Sequence, residues 1–238
     1  MANLRITWLG HGGVLYRSPE EKWIWVDRWT SAPTYPDAYR ALEQVNVVAP
    51  THGHFDHVGD DLADLVELGR VAGAATLCSH EMSLWLGAQG IEAVGMNKGG
   101  TFEAAGIRFT MVDAIHSGGA TLTTGAAGTT RELGAWGWII DFEDGTTVYH
   151  AGDTDVFGDM RLIAERFNPE YAILPIGGHY TMGPADAGRA LEMLDVSAVI
   201  PVHFGTFPAL AGTPDQLRDV TSVEVVALDP GETWEAVT

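Results

Sequence analysis

Three observations in the sequence predict an α/β fold. Short apolar runs alternate with stretches of helical period and with Gly/Pro punctuation. Clusters of His and Asp begin where the apolar runs end. No low-complexity linker, internal repeat or long charge run divides the 238 residues, so the chain reads as a single domain over 1–238.

The apolar runs give ten expected strands, in order 4–9, 23–27, 45–49, 75–79, 107–112, 136–142, 146–150, 171–175, 197–201 and 223–228. Helices are expected where the period changes to 3.6. Val58, Leu62, Leu65 and Val66 form one such stripe, and Met160, Ile163, Ala164 and Phe167 a second. Ala187, Ala190, Leu191 and Leu194 form a third, with Pro184 placed as a first-turn proline. Residues 117–135, rich in Gly, Thr and Ala, show no period and read as a long loop of functional interest. Trp136 and Trp138 share a strand face, as do Trp23 and Trp25, which predicts packing rather than ligand contact.

Composition bounds the function. Thirteen Lys and Arg against 32 Asp and Glu give a net charge of −19. Such a chain repels phosphate backbones and anionic lipid, so neither a nucleic acid nor a membrane is expected as partner. A small anionic substrate remains compatible, because a bound cation reverses the local sign. The single cysteine, Cys78, excludes a disulfide within the chain and a multi-thiolate zinc site. With no signal-peptide pattern at "MANLRITWLG" and no bilayer-length apolar run, a cytoplasmic location is expected. Oligomeric state is left open, a homo-oligomer included.

The stretch "THGHFDHVGD" at 51–60 holds three of the nine histidines. His52 and His54 are two apart, so an extended segment points both the same way. Asp56 and His57 follow where the chain should turn into a helix, which aims a second pair differently. Other polar residues sit at other strand ends: His11 after "RITWL", His116 after "FTMVDA", Asp153 after "TTVYH", His179 after "YAILP" and His203 after "SAVIP". Ligands of α/β sheets bind outside the carboxyl ends of strands, so these residues are expected to converge. Nitrogen and carboxylate donors of this kind suit Zn²⁺, Mn²⁺ or Fe²⁺.

"THGHFDHVGD" is the His-x-His-x-Asp-His motif of the metallo-β-lactamase superfamily, and "YHAGDTDVFGDMRLIAE", "LPIGGHYTMGP" and "IPVHFGTFP" resemble its UPF0173 group of metal-dependent hydrolases, related to the ascorbate-6-phosphate lactonase branch. The resemblance runs from "WLGHGG" to "DPGETWE". It implies a four-layer αβ/βα sandwich with two divalent metal ions at one edge, zinc foremost and manganese or iron as alternatives. It assigns His52, His54 and His116 to one metal, Asp56, His57 and His203 to the other, and Asp153 to both. The implied reaction is hydrolysis of a small-molecule ester, lactone or phosphoester by a hydroxide bridging the metals. Two positions depart from the group's pattern: Arg28 follows Asp27 where the group has proline, and 177–179 read Gly-Gly-His where the group often has an acid.

Around this core, Asp56 and His179 are the catalytic candidates, His179 as general acid or substrate clamp. His11 and His179 are expected to border the substrate pocket. Asp27 is expected to orient a ligand histidine, and His150 to support Asp153. Competing readings are a nucleic-acid phosphodiesterase of the same superfamily, disfavoured by the acidic composition, and a non-hydrolytic di-iron or metal-binding protein, for which the chain leaves no room for a flavin partner domain.

Overall fold

The protein is described by a computed structural model over residues 2–41, 44–122 and 129–236. Its strands are β1 (Arg5–Trp8), β2 (Val14–Arg17), β3 (Trp23–Val26), β4 (Val47–Val48), β5 (Ala75–Ser79), β6 (Ala93–Met96), β7 (Thr101–Ala104), β8 (Ile107–Asp113), β9 (Gly119–Leu122), β10 (Thr129–Glu132), β11 (Trp136–Asp141), β12 (Thr147–His150), β13 (Tyr171–Pro175), β14 (Ala198–Val202), β15 (Glu224–Val225) and β16 (Thr233–Glu235). The α-helices are α1 (Phe55–Val58), α2 (Ala63–Gly69), α3 (His80–Ala88), α4 (Met160–Phe167), α5 (Pro184–Leu194) and α6 (Pro214–Arg218).

Two seven-stranded mixed sheets are formed, in the orders β16-β1-β2-β3-β4-β5-β6 and β15-β14-β13-β12-β11-β8-β7. Each has an antiparallel half and a parallel half: β3 to β6 run parallel in the first sheet, and β12 to β15 in the second. Alternation along the strands explains the layering. Trp138 and Ile140 of β11 turn into a core shared with Ile24 and Trp25 of the first sheet, while Ile139 turns outward. Outward side chains such as Ile139, Tyr149, Ala172 and Val199 pack under Met160 and Ile163 of α4 and Ala187 and Leu191 of α5. Leu65 and Leu68 of α2 and Met82 and Leu86 of α3 belong to the first cluster. The result is the expected four-layer αβ/βα sandwich.

Nine of the ten expected strands appear within two residues of their predicted ends; the tenth, 223–228, is reduced to β15. The periodicity at 160–167 and 184–194 becomes α4 and α5, with Pro184 in the first turn of α5. Trp25, Trp136 and Trp138 are fully buried, and the Trp138 indole N–H donates to the Pro50 carbonyl at 2.9 Å. Trp23 is half-buried under the Arg17 guanidinium, 4.3 Å from the ring centroid.

Two expectations are corrected. The stripe Val58–Val66 is not one helix. Gly59 (φ 78°), Asp61 (φ 55°) and Leu62 (φ 58°) break it into α1, a short 3-10 turn and α2. All four apolar residues still turn inward, because the stripe reports which face is buried and not backbone continuity. Residues 117–135 are not structureless: β9 and β10 pair antiparallel from Gly119↔Glu132 to Leu122↔Thr129. A two-stranded ribbon held by its backbone ladder needs no core-facing apolar period, so it left no signature. The centre of that segment, 123–128, lies outside the described residues. The short strands β2, β6, β7 and β16 and helices α3 and α6 also escaped prediction. β6 carries a glycine, and β7 is an edge strand exposed along most of its length.

Candidate metal centre

The site begins where β4 ends. The Thr51 backbone N–H and hydroxyl both donate to the Asp27 carboxylate, at 2.8 and 2.7 Å. The Thr51 carbonyl accepts from the Trp136 N–H at 3.0 Å, and His52 forms a bridge with Ala135. Held extended in this way, His52 Nε2 and His54 Nδ1 lie 3.0 Å apart. His54, still extended (ψ 147°), precedes α1, whose single turn swings Asp56 and His57 to a different direction.

The other strand ends complete two donor groups. One consists of His52, His54 and His116, the last following β8. The other consists of Asp56, His57, His203 and also His11, which follows β1. Within each group all candidate donor atoms lie within 4.8 Å of one another. Asp153, after β12, sits between the groups. Its carboxylate is 3.9 Å from His52 and 3.5 Å from His116 on one side, and 3.4 Å from His57 and 3.1 Å from His203 on the other. The residues assigned from the sequence to each metal thus fall into the two groups, with Asp153 touching both.

The protonation states follow from burial and neighbours. Burial pushes His52 well below the usual imidazole range, aided by the nearby His57. Burial likewise lowers His54 and His116. Burial opposes the ionised forms of Asp153 and Asp56, but facing histidines outweigh it and hold both carboxyls below the usual range. His57 is the exception: burial lowers it, yet Asp153 and Asp27 together raise it well above its ordinary value. Neutral imidazoles and ionised carboxylates are the forms that ligate metals.

The donor set fits cations. His57 Nε2 and His203 Nε2 are buried inside the cluster with no partner in hydrogen-bonding geometry among the protein's groups. Orphaned buried polar atoms are costly and call for an explanation. Both belong to the second group, and a divalent ion held there would satisfy them and offset the crowding of the Asp56 carboxylate against three histidines.

Asp27 supports this arrangement. Its Oδ2 is 2.7 Å from His57 Nδ1, which leaves Nε2 facing Asp153. His11, Asp27 and His203 all have φ between 49° and 56°. Few non-glycine residues adopt that left-handed region, although Asp and His tolerate it better than most, and such conformations concentrate at functional sites.

Other candidates are placed differently. His11 is buried inside the second donor group, its Nε2 3.0 Å from Asp56 Oδ2, rather than at the pocket rim. His150 is buried, but its ring bonds the Tyr16 hydroxyl at 2.7 Å and not Asp153. Burial pushes its pKa down to about 4. His179 is exposed, packs edge-on against Tyr180, and is not brought to the cluster. Its neighbour Tyr180, though 57% exposed, lines the cavity beside the donor groups.

A cavity of about 630 Å³ opens above Asp56, His116, Asp153 and His203, walled by Phe55, Tyr180 and Phe207. Sequence reasoning missed these three side chains. Each is adjacent to or within a motif already singled out ("HFD", "GHY", "GTFP"), and that adjacency was the available signal. Arg28, singled out in the sequence only as a departure from the group's pattern, has its guanidinium buried between Glu67 (2.5 Å), the Tyr35 hydroxyl (3.2 Å) and the Arg40 carbonyl (3.0 Å). The Arg28 backbone N–H donates to the His57 carbonyl at 2.7 Å, which pins α1 to the end of β3.

The comparisons with known proteins agree with this geometry. A family model described as a beta-lactamase superfamily domain matches residues 22–204. A UPF0173 metal-dependent hydrolase of Koribacter versatilis is 42% identical, over 98% of this chain and 99% of its own. One of Herpetosiphon aurantiacus is also 42% identical, over 98% of each chain. Among solved structures, Igni18, described as a metallo hydrolase from Ignicoccus hospitalis, superposes with a TM-score of 0.81 at 30% identity over 99% of both chains. Two donor groups at the sheet ends of an αβ/βα sandwich, together with full-length relatives of this kind, make the chain a member of the β-lactamase superfamily and, within it, of the UPF0173 metal-dependent hydrolases.

Proposed function

We propose that the protein hydrolyses a small-molecule ester, lactone or phosphoester at a dinuclear site. The observation that carries this is the position of Asp153, whose carboxylate lies 3.1–3.9 Å from His203 and His57 of one donor group and from His116 and His52 of the other. When bound, a pair of divalent ions supplies a water acidic enough to ionise near neutral pH and a Lewis acid for the substrate oxygen.

The chain's own groups do the rest. His52, His54 and His116 would hold one ion, Asp56, His57 and His203 the other, and Asp153 both. Zn²⁺ suits this nitrogen-rich set best, and Mn²⁺ and Fe²⁺ share it. Asp27 aims His57, and Thr51 holds Asp27 still. Asp56, kept ionised in spite of its burial by the hydrogen bond from His11, serves as a ligand and not as a proton donor. Cys78 offers no alternative nucleophile: it is buried in the core, and burial pushes its thiol up to about 12.

The direct test is turnover of lactones, phosphodiesters and thioesters by metal-loaded protein. Chelation should abolish turnover and readdition restore it. Asp153→Ala should lower kcat by at least about a thousandfold, as expected for loss of a principal charge-stabilising group, and reduce bound metal in elemental analysis while leaving the circular dichroism spectrum intact. Full activity in either case would sink the proposal.

A further inference from the structure

The wall beside the donor groups has a chemistry of its own. Phe55 is 50% exposed and Tyr180 57% exposed, two of the largest apolar side chains left open to water, and both line the cavity above Asp56 and Asp153. Phe55 is not loosely held. Its ring stands edge-on to buried Trp29 at 5.5 Å, and Trp29 in turn contacts the Phe207 ring at 5.7 Å. Pro208 and Ala209 continue the same surface. A rigid aromatic platform open to solvent beside a reactive centre is the usual form of a small-molecule subsite.

Charge points the same way. All thirteen Lys and Arg lie among the described residues, and none lines this cavity. An adjoining recess of about 300 Å³ shares His54 and Phe55 with it and is bordered by Asp60 and Asp61. A substrate carrying an anionic group away from its reacting bond would have to desolvate that group with no cation to receive it, next to acidic neighbours.

We infer that the part of the substrate remote from the scissile bond is uncharged and apolar, an alkyl or aryl chain seated on Phe55, Phe207 and Tyr180, and not a phosphorylated sugar. The inference rests on the hydrolase reading for the position of the reacting group, but the platform has its own readout.

That readout is calorimetric binding of hydroxamates to the metal-loaded protein. Acetohydroxamate, octanohydroxamate and 6-phosphonohexanohydroxamate share a metal-binding head and differ only in the tail. Octanohydroxamate should bind at least tenfold tighter than acetohydroxamate, since each buried methylene is worth about threefold or more. The phosphonate tail should cost at least tenfold relative to octanohydroxamate. Phe55→Ala and Tyr180→Ala, both at half-exposed positions that folding tolerates, should each shrink the octanoyl advantage several-fold. Equal affinities, a preference for the phosphonate, no binding by any of the three, or an unchanged octanoyl advantage in both variants would overturn the inference. Turnover of p-nitrophenyl acetate by the same preparation separates the two readings. Turnover with tail-independent binding sinks the apolar platform alone, and tail-dependent binding with no turnover of any ester or lactone sinks the hydrolase reading alone.

Discussion

Asp27 shows how much of a metal centre is built by residues that touch no metal. Its carboxylate accepts from the Thr51 N–H, the Thr51 hydroxyl and His57 Nδ1, all within 2.8 Å. It therefore sets the tautomer of His57 and the direction of the strand end that carries His52. An asparagine cannot accept from all three donors. Asp27→Asn should weaken metal binding about 10- to 100-fold, the usual cost of losing such a partner, read by competition with a chromogenic chelator. Unchanged affinity would show that His57 is aimed by something else. Gly12 is constrained from the other side of the same ring. A Cβ there would stand 2.5 Å from His57 Cε1 and 2.9 Å from Nδ1. Because Asp27 locks the ring, it cannot give way. Gly12→Ala should cost about 1–3 kcal/mol of stability, as overpacking does, and displace His57, so that bound metal falls in elemental analysis. An alanine variant with wild-type metal content would refute the close approach.

Among the elements, the break between α1 and α2 matters most. A continuous helix over 55–69 would carry Asp56 and His57 on into a long rod. The break at Gly59 instead lets α1 end after one turn and α2 pack back on the first sheet. A side chain at Gly59 would meet the Asp64 carboxylate at 2.8 Å, and that carboxylate accepts from the Thr30 N–H and hydroxyl at 2.9 and 2.7 Å. Arg28 closes the same junction by pairing with Glu67 at 2.5 Å and approaching Asp64 at 3.6 Å. Arg28 thus clasps the end of β3 to α2. Arg28→Met should lower the stability of the metal-free protein by about 1–2 kcal/mol, mostly from the Tyr35 and Arg40 oxygens that lose a charged donor, since Glu67 is half-exposed and can be rehydrated, measured by urea denaturation. A loss under 0.5 kcal/mol would mean that the clasp contributes little.

Across the whole molecule, burial of histidines links stability to pH. His150 is 1% exposed, and its pKa is pushed from 6.5 down to about 4. Above pH 6.5 it is neutral folded and unfolded alike. Below that, the unfolded chain takes up a proton that the folded protein refuses until about pH 4. Stability is therefore present above the unfolded value and lost as pH falls from about 6.5 to 4, by about 3 kcal/mol from this residue alone. His150→Gln, which can keep a bond to Tyr16, should flatten that part of the pH dependence in denaturation curves of metal-free protein between pH 7.5 and 4.5. Parallel curves for variant and wild type would exclude the residue as a contributor. Among the described residues no helix is long and apolar enough to cross a membrane, in keeping with the near-zero mean hydropathy of +0.04.

How much of this was legible depended on range. The seven donor residues stood out because they lie at or just beyond the ends of apolar runs, and apolar runs report buried strands directly; their division between two metals came from the family resemblance. "THGHFDHVGD" could be recognised because its spacing of two and then two more residues is set by local backbone geometry: an extended segment followed by one helical turn. The sheet core was legible for the same reason, since Trp136 and Trp138 sit at alternating positions on one buried face. What the sequence by itself determined was the α/β class and the main strands, carried by local pattern, and a set of candidate donor residues, marked by strand ends and by the family resemblance. What only the tertiary structure decided was which side chains meet across distant segments. It put His11 against Asp56 and not at the rim, paired His150 with Tyr16, left His179 off the cavity that its neighbour Tyr180 lines, and joined Phe55, Trp29 and Phe207 into one wall. Those outcomes depend on strand order and on a few left-handed backbone turns, at His11, Asp27 and His203 among others. Such turns redirect a side chain without changing the hydrophobic period around it, so the pattern of residues carries no trace of them.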